Sequence, residues 1–452
     1  MMTESRFSRL FATLGLRTKQ QRAWAMYDWA NSAMIVIVVA GVYPIFFTSY
    51  AGSTLPEGVA LARHSLATTI ALAFTAVISP LLGAIADHAA IKKRMLGTFL
   101  GLGVTATALM YFIGQGSWLF AAVLFVLANI GANGSFVFYD ALLPHVASRE
   151  EVDRVSTAGY AMGYIGGGLL LALALVMSMR PEWIGLAAED KSTPARISFV
   201  LTAIWWLGFS IPLFRHVPEP PVRFETEEER RLGAVRAGVS RLKHTFRELR
   251  KYRHALLLLV AFLIYNDGIG TIIRMATGYG TELGIDRSVM IGAMVAVQFV
   301  GIPFAFLFGA LAGRIGAKQA VLLGLAVYVG IAILGYRMQD ATHFVILACL
   351  VGMVQGGTQA LSRSLFASMI PRHESGEFFG LFAVFERFAG IMGPALFWLA
   401  LVFTGSSRNA VLSVILFFVI GGALLLLVDV DEGRRVAREA EAGGDLLEAG
   451  TP

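Results

Sequence analysis

Hydrophobic residues along this chain come in long unbroken runs. Ile70–Ile85, Leu119–Ile130 and Asn409–Val428 each read as bilayer-spanning core. A transmembrane helix needs about 20 mostly apolar residues. On that measure the pattern predicts twelve spans, at about 24–50, 65–86, 95–114, 118–140, 155–178, 195–214, 254–275, 288–312, 319–337, 342–368, 377–402 and 409–428. A membrane β-barrel would alternate apolar and polar residues, whereas Leu169–Val176 is apolar on every face. The expected fold class is therefore an all-α integral membrane protein in contact with the lipid bilayer.

The polar segments set the expected orientation. An even number of spans puts both ends on one side. That side carries Arg6, Arg9, Arg17, Lys19 and Arg22, then Lys92, Lys93 and Arg94, then eleven Lys or Arg from Arg215 to Arg253. The opposite loops carry few basic residues: Arg63, Arg180, Lys191, Arg196, Arg287 and Arg408. The positive-inside rule places both ends in the cytoplasm; the membrane expected is a bacterial cytoplasmic membrane.

Five segments follow: 1–23, 24–214, 215–253, 254–429 and 430–452. In the first, Phe7, Leu10, Phe11 and Leu14 fall at helical spacing among arginines, which suits a helix lying on the membrane rather than a signal peptide. The second and fourth hold six spans each. In the third, Leu232, Val235, Val239, Leu242, Phe246 and Leu249 step by three and four, predicting a basic amphipathic helix that tethers two halves or binds a partner. The last is a short polar cytoplasmic tail, expected to be mobile.

Composition agrees with the pattern. Charged residues make up 15% of the chain, against about 25% in soluble domains. A soluble enzyme, a disordered chain and a disulfide scaffold are excluded; the single cysteine is Cys349. The net charge of +6 follows from the loop asymmetry, so no nucleic-acid partner is expected. No zinc-ligand spacing, Walker motif or hydrolytic constellation stands out, so no metal, cofactor or ATP is expected. Gly159, Gly163, Gly166, Gly167 and Gly168 imitate a phosphate loop but lie in a span, where close helix packing is the expectation. His64 and His145 fall at span edges, where they are expected to be solvated.

Six spans, a basic linker and six more suggest a duplicated transporter. Span 4 ends Leu142-Leu143-Pro144 and span 10 ends Met369-Ile370-Pro371; at that offset Ser135 meets Ser362 and Gly163 meets Gly390. Gly83-Ala84-Ile85-Ala86-Asp87 is echoed at Gly309-Ala310-Leu311-Ala312-Gly313-Arg314 without the aspartate.

The loop after span 2, Gly83…Asp87…Lys92-Lys93-Arg94, resembles the cytoplasmic signature of the major facilitator superfamily, departing from it at Ala90 and Ile91. Three further segments narrow the resemblance: Trp24-Ala25-Met26-Tyr27-Asp28-Trp29-Ala30-Asn31 in span 1, Tyr265-Asn266-Asp267-Gly268 in span 7, and Gly356-Gly357-Thr358-Gln359 through Arg363 in span 10. Together they are similar to the branch holding the vacuolar amino-acid effluxers of autophagy and their bacterial relatives. The resemblance implies two six-helix bundles in the major facilitator fold, transport by alternating access, and a central path lined by spans 1, 4, 7 and 10. It implies that the Asp87 loop locks one conformation.

Charge inside a bilayer costs roughly 2.5–3.5 kcal/mol on insertion scales, so it faces a cavity or a partner. In span 1, Tyr27, Asp28 and Asn31 crowd one helical side, with Asp28 about a turn inside the cytoplasmic edge. Asp28 reads as a substrate-ammonium or proton site, or as a carboxylate pinned by a neighbouring helix. In span 4, Asn129 and Asn133 read as hydrogen-bonding substrate or a neighbouring helix, and Asp140 as structural. In span 7, Asn266 and Asp267 fall near mid-membrane; Asp267 is the leading candidate for proton or substrate work, with Arg274 as an alternative partner. In span 10, Gln355, Gln359 and Arg363 form one polar stripe. Arg363 reads as a carboxylate clamp or as the ion-pair partner of Glu386, beside Arg387 in span 11. The function expected is a secondary active transporter of a small polar, amino acid-like solute with a proton as coupling ion. An amphiphile transporter and a non-transporting receptor or assembly factor are the alternatives.

Overall fold

The computed structural model describes residues 14–56, 59–187, 190, 192–221, 251–388, 396, 403 and 407–449. Its helices follow the predicted spans in order. They are α1 Lys19–Ala51, α2 Val59–Ala89, α3 Lys92–Leu109, α4 Trp118–Val146, α5 Val152–Met179, α6 Ser192–His216, α7 Arg253–Glu282, α8 Arg287–Ile315, α9 Ala317–Tyr336, α10 Ala341–Ser368, α11 Ser375–Phe388 and α12 Ile415–Leu426, the last preceded by a short helix at Ser407–Ser413. Among the described residues ten helices are long and apolar enough to cross a membrane by themselves. Backbone polar groups find no water in lipid, so each crossing segment closes its own hydrogen bonds as a helix. The amphipathic segment up to residue 13, the linker helix at 222–250, Gly390 and the far end of span 11 lie outside the described residues.

The helices run past the predicted edges. The Thr18 hydroxyl accepts from the Gln21 amide while the Gln21 side chain accepts from the Thr18 amide, a capping box that starts α1 at Lys19. Asp28 therefore lies about two and a half turns from the start of α1. Farther along, α1 widens into π turns at Ile35–Gly41 and Phe47–Ala51, on either side of Pro44, which has no amide hydrogen to donate. The chain leaving α6 is pinned to the start of α3. Glu219 accepts from the Lys93 amide at 2.9 Å, and the Lys93 ammonium donates to the carbonyls of Phe214 and Val217 at 3.0 and 2.5 Å. Burial pushes the Glu219 carboxyl up, against the pull of the Lys93 and Lys92 amides.

The tail corrects an expectation. Instead of a mobile segment, Val430–Ala449 forms a helix, α13, with Val430–Ala442 bent by 59° from Val411–Leu426. The Asp429 carboxylate caps it at the Glu432 amide, and Glu432–Arg435–Glu439 pairs run along it. Gly433 lies against Met369 and His254, and Ala437 is fully buried. Capping and docking together order a segment whose polarity alone suggested mobility.

Glycines set where helices touch. Gly159, Gly163 and Gly166 of α5 face Asp28, Ser32 and Trp29 of α1, the close packing expected of this glycine run. At the end bearing the linker, the two halves meet backbone to backbone. A Cβ on Gly83 would clash with the Gly376 carbonyl oxygen, and one on Gly380 would lie 2.6 Å from the Ser79 carbonyl oxygen. On the other side of the seam, Gly301 and Gly356 receive the Tyr164 ring, and Gly309 receives the Thr157 side chain.

Ala90, at the departure from the superfamily signature, has φ 48, in the left-handed region. An L-residue there costs roughly 1–2 kcal/mol, and glycine loses roughly 0.5–1 kcal/mol in chain entropy. Ala90→Gly is therefore expected to stabilise the folded protein by about 0.5–1 kcal/mol, read as a higher Tm in detergent. A lower Tm would show that the turn is not strained by its side chain.

Candidate functional site

The site is built around Arg363, near the linker end of α10. Its stripe of Gln355, Gln359 and Arg363 turns inward, and Arg363 is 3% exposed. The guanidinium crosses the seam between the halves. Nη1 donates to Asp140 at 3.0 Å, Nη2 to Asp28 at 3.4 Å and to the Ser156 carbonyl at 3.0 Å, and Nε to the Ser156 hydroxyl at 2.9 Å. It lies over the rings of Trp24, Tyr139 and Tyr160, at 5.0, 5.7 and 4.7 Å from their centroids. A planar fork with five donors suits this spread of partners; a lysine ammonium offers three donors from a single point.

The carboxylates differ in surroundings. Asp28 also accepts the Tyr139 hydroxyl at 2.7 Å, and its side chain is 6% exposed. Asp140 is 13% exposed. Glu386 of α11, Asp28 and Arg363 lie within electrostatic reach of Asp140. Among the described residues, two carboxylates face one guanidinium here, an excess of one negative charge when both are ionised.

Arg363, read as a carboxylate clamp or as the partner of Glu386, pairs with Asp28 and Asp140. Asp140 has the structural role expected of it, in an ion pair that joins the halves. The cause is tertiary, since α4 and α5 bring their polar faces to α10 from the other half. A sequence signal was present. Tyr139-Asp140 repeats the Tyr27-Asp28 dipeptide of span 1. Trp24, Ser156 and Tyr160 carried no such signal.

A second clamp closes the same end. The Asp87 carboxylate accepts the amides of Gly376 and Glu377, at 3.1 and 2.8 Å, in the first turn of α11. Lys92 sits 2.6 Å from it. A helix N-terminus presents free amides and positive dipole to such an anion. His145 corrects an expectation: it lies at this seam, 3.5 Å from the Lys92 ammonium and 3.2 Å from the Ser375 hydroxyl. His64, likewise expected in water, packs among the rings of Tyr43, Phe47 and Phe125. Around them, Ser364 donates to Asp153 at 2.5 Å, and Arg149 reaches the Ser368 carbonyl and Glu441 of α13.

The remaining predicted residues lie in each half. Tyr27 is buried against Tyr139 and Phe136. Asn31 donates to Ser135 at 3.3 Å, and Tyr265 shares a 2.5 Å hydrogen bond with Ser362. The two serines that matched in the sequence repeat thus each bond the first helix of their own half. Gln359 donates to Asn266 at 3.2 Å. Asn133 donates to the backbone carbonyl and side-chain oxygen of Asn129, so these two bond within α4. Asp267 is fully buried, and its backbone carbonyl accepts the Thr271 hydroxyl. Gln355 is partly buried. The side chains of Arg274 and Arg387 lie outside the described residues.

Paired helical halves of this order are the fold of the major facilitator superfamily. The proton:xylose symporter XylE superposes with a TM-score of 0.68 at 13% identity, over 96% of this chain and 99% of that one. The transporter FucP superposes with a TM-score of 0.66 at 12% identity, over 93% and 98%. A sequence profile described as "Vacuole effluxer Atg22 like" matches residues 64–438, and the chain belongs to that family. An uncharacterized MFS-type transporter of Bacillus subtilis, YxiO, is 37% identical over 93% of this chain and 97% of its own length. Autophagy-related protein 22 of Coccidioides immitis is 24% identical over 86% of this chain and 76% of its own.

Removing one partner of a buried ion pair costs about 3–5 kcal/mol, because a charge is left uncompensated. A double-mutant cycle of Arg363→Ala with Asp140→Asn is expected to give a coupling of about 1–3 kcal/mol in thermal unfolding. The cycle of Arg363→Ala with Asn129→Ala is expected to be additive. Additivity in the first cycle would contradict the pairing.

Proposed function

We propose that this chain is a proton-coupled secondary active transporter of a small zwitterionic, amino acid-like solute. It works by alternating access, with the linker end in the cytoplasm. The observation that carries this reading is Arg363 of one half, buried between Asp28 and Asp140 of the other. The solute class follows the effluxer resemblance together with the uncharged pairs Asn31–Ser135, Tyr265–Ser362 and Gln359–Asn266 on α1, α4, α7 and α10. The orientation follows the basic residues gathered at the linker end.

In the described state the guanidinium bridge, the Asp87 clamp and the glycine contacts close the linker end. Transport alternates this state with one in which the halves part there. The excess negative charge gives a proton a defined place. Asp140 takes it: it is the more exposed carboxylate, and Asp28 already accepts the Tyr139 hydroxyl. The groups facing Asp140 are Arg363 of α10, Asp28 of α1 and Glu386 of α11. A proton on Asp140 removes one of the two charges holding Arg363 and loosens the seam; its loss tightens the seam again. Proton and solute are coupled because each binds one facing state better than the other.

The test uses proteoliposomes, a pH gradient and a labelled amino-acid mixture. Asp140→Asn is expected to abolish gradient-driven accumulation while solute exchange at equal pH continues. Gradient-driven accumulation kept in Asp140→Asn and lost in Asp267→Asn would move the coupling site to Asp267.

A further inference from the structure

We propose that the pocket around the Arg363 guanidinium is an organic-cation site of the N-terminal half, and that Arg363 is its tethered occupant. The inference rests on the proposed parting of the halves at the linker end. Among the described residues, every group that touches the guanidinium belongs to one half: Trp24 and Asp28 from α1, Tyr139 and Asp140 from α4, Ser156 and Tyr160 from α5; Glu386 of α11 acts on Asp140 from the other half. The occupant itself comes from the other half. Three ring faces and two carboxylates around one cation form the arrangement by which proteins recognise free ammonium and guanidinium ligands.

The wall built by α1 and α4 around Trp24, Tyr139 and Asp28 is fixed without help from Arg363. Trp24 and Tyr139 stack at 4.4 Å with 12° between their planes, and the indole of Trp24 donates to the Tyr139 carbonyl at 3.0 Å. The Tyr139 hydroxyl is anchored on Asp28. A pocket held by its own contacts keeps its shape when its occupant leaves.

When the halves part, Arg363 moves with α10 and the pocket stays with α1, α4 and α5. Two buried carboxylates then face the linker side without their cation, which is a costly state. Protons or an organic cation restore the balance. The planar ring faces favour a guanidinium or a primary ammonium, as on a basic or zwitterionic solute. Arg363 and that cation exclude each other, so cargo bound here holds the linker end open, and the return of Arg363 expels it.

The experiment uses the purified full chain with Cys349→Ala and Ser364→Cys. Ser364 is fully buried at the seam against Asp153, so its labelling by a maleimide reports opening of the linker end. The probe is methylguanidinium, with neutral methylurea as control. Methylguanidinium is expected to raise the labelling rate several-fold and saturably, and methylurea to leave it unchanged. Adding Tyr160→Leu is expected to weaken the response. Arg363→Ala on the same background is expected to label quickly with no probe, and to gain Tm with methylguanidinium alone. Fast labelling in Arg363→Ala with no effect of methylguanidinium on rate or Tm would overturn the cation site and leave the gate standing. An equal response in Tyr160→Leu would also overturn it. Slow labelling in Arg363→Ala would overturn the gate and the cation site together.

Discussion

A guanidinium buried between two carboxylates across the seam between the halves is the contact on which the rest of the account depends. In a bilayer, lipid tails are as apolar as leucine, so the hydrophobic effect does not hold two helical bundles together. Close packing and polar contacts across the seam do, and the polar contacts converge on Arg363, Asp28 and Asp140. The same burial that strengthens the bridge makes an intermediate state costly, since half-separated charges meet neither water nor each other. A bridge of this kind favours two discrete arrangements over a continuum, as alternating access requires.

The other contacts at the linker end support that bridge. Gly83, Gly376 and Gly380 let α2 and α11 approach at backbone distance, which brings the Asp87 carboxylate onto the first amides of α11. Asp87 thus joins the halves through a helix end, while Arg363 joins them through side chains. Helix α13 adds a third tie, because its Glu441 meets Arg149 of the first half and the Arg372 amide of the second. The three ties lie on one face.

The fold was legible in the sequence because spanning lipid imposes a length and a polarity that any reader can count. The repeat was legible too: Ser135 and Ser362 matched in sequence and make equivalent bonds in their halves. Arg363 and Asp28 stood out as charges inside spans. Their partnership did not, because choosing between Glu386 and Asp140 depends on which helices touch, and helix faces in all-apolar spans carry little directional signal. Trp24 and Tyr160 read as ordinary membrane aromatics until the guanidinium appears above them. The tail read as mobile because its polarity was visible and its docking surface, Met369 and His254, was not.

The central claim is that Arg363 holds the linker end closed and that this end opens in the working cycle. The most direct measurement is the spin-label distance between positions 150 and 314, exposed residues of opposite halves at the linker end, in the Cys349→Ala background. The account predicts a short and a long population in the wild-type chain, with Arg363→Ala shifting nearly all of it to the long distance. A single distance, unchanged by Arg363→Ala, would contradict it.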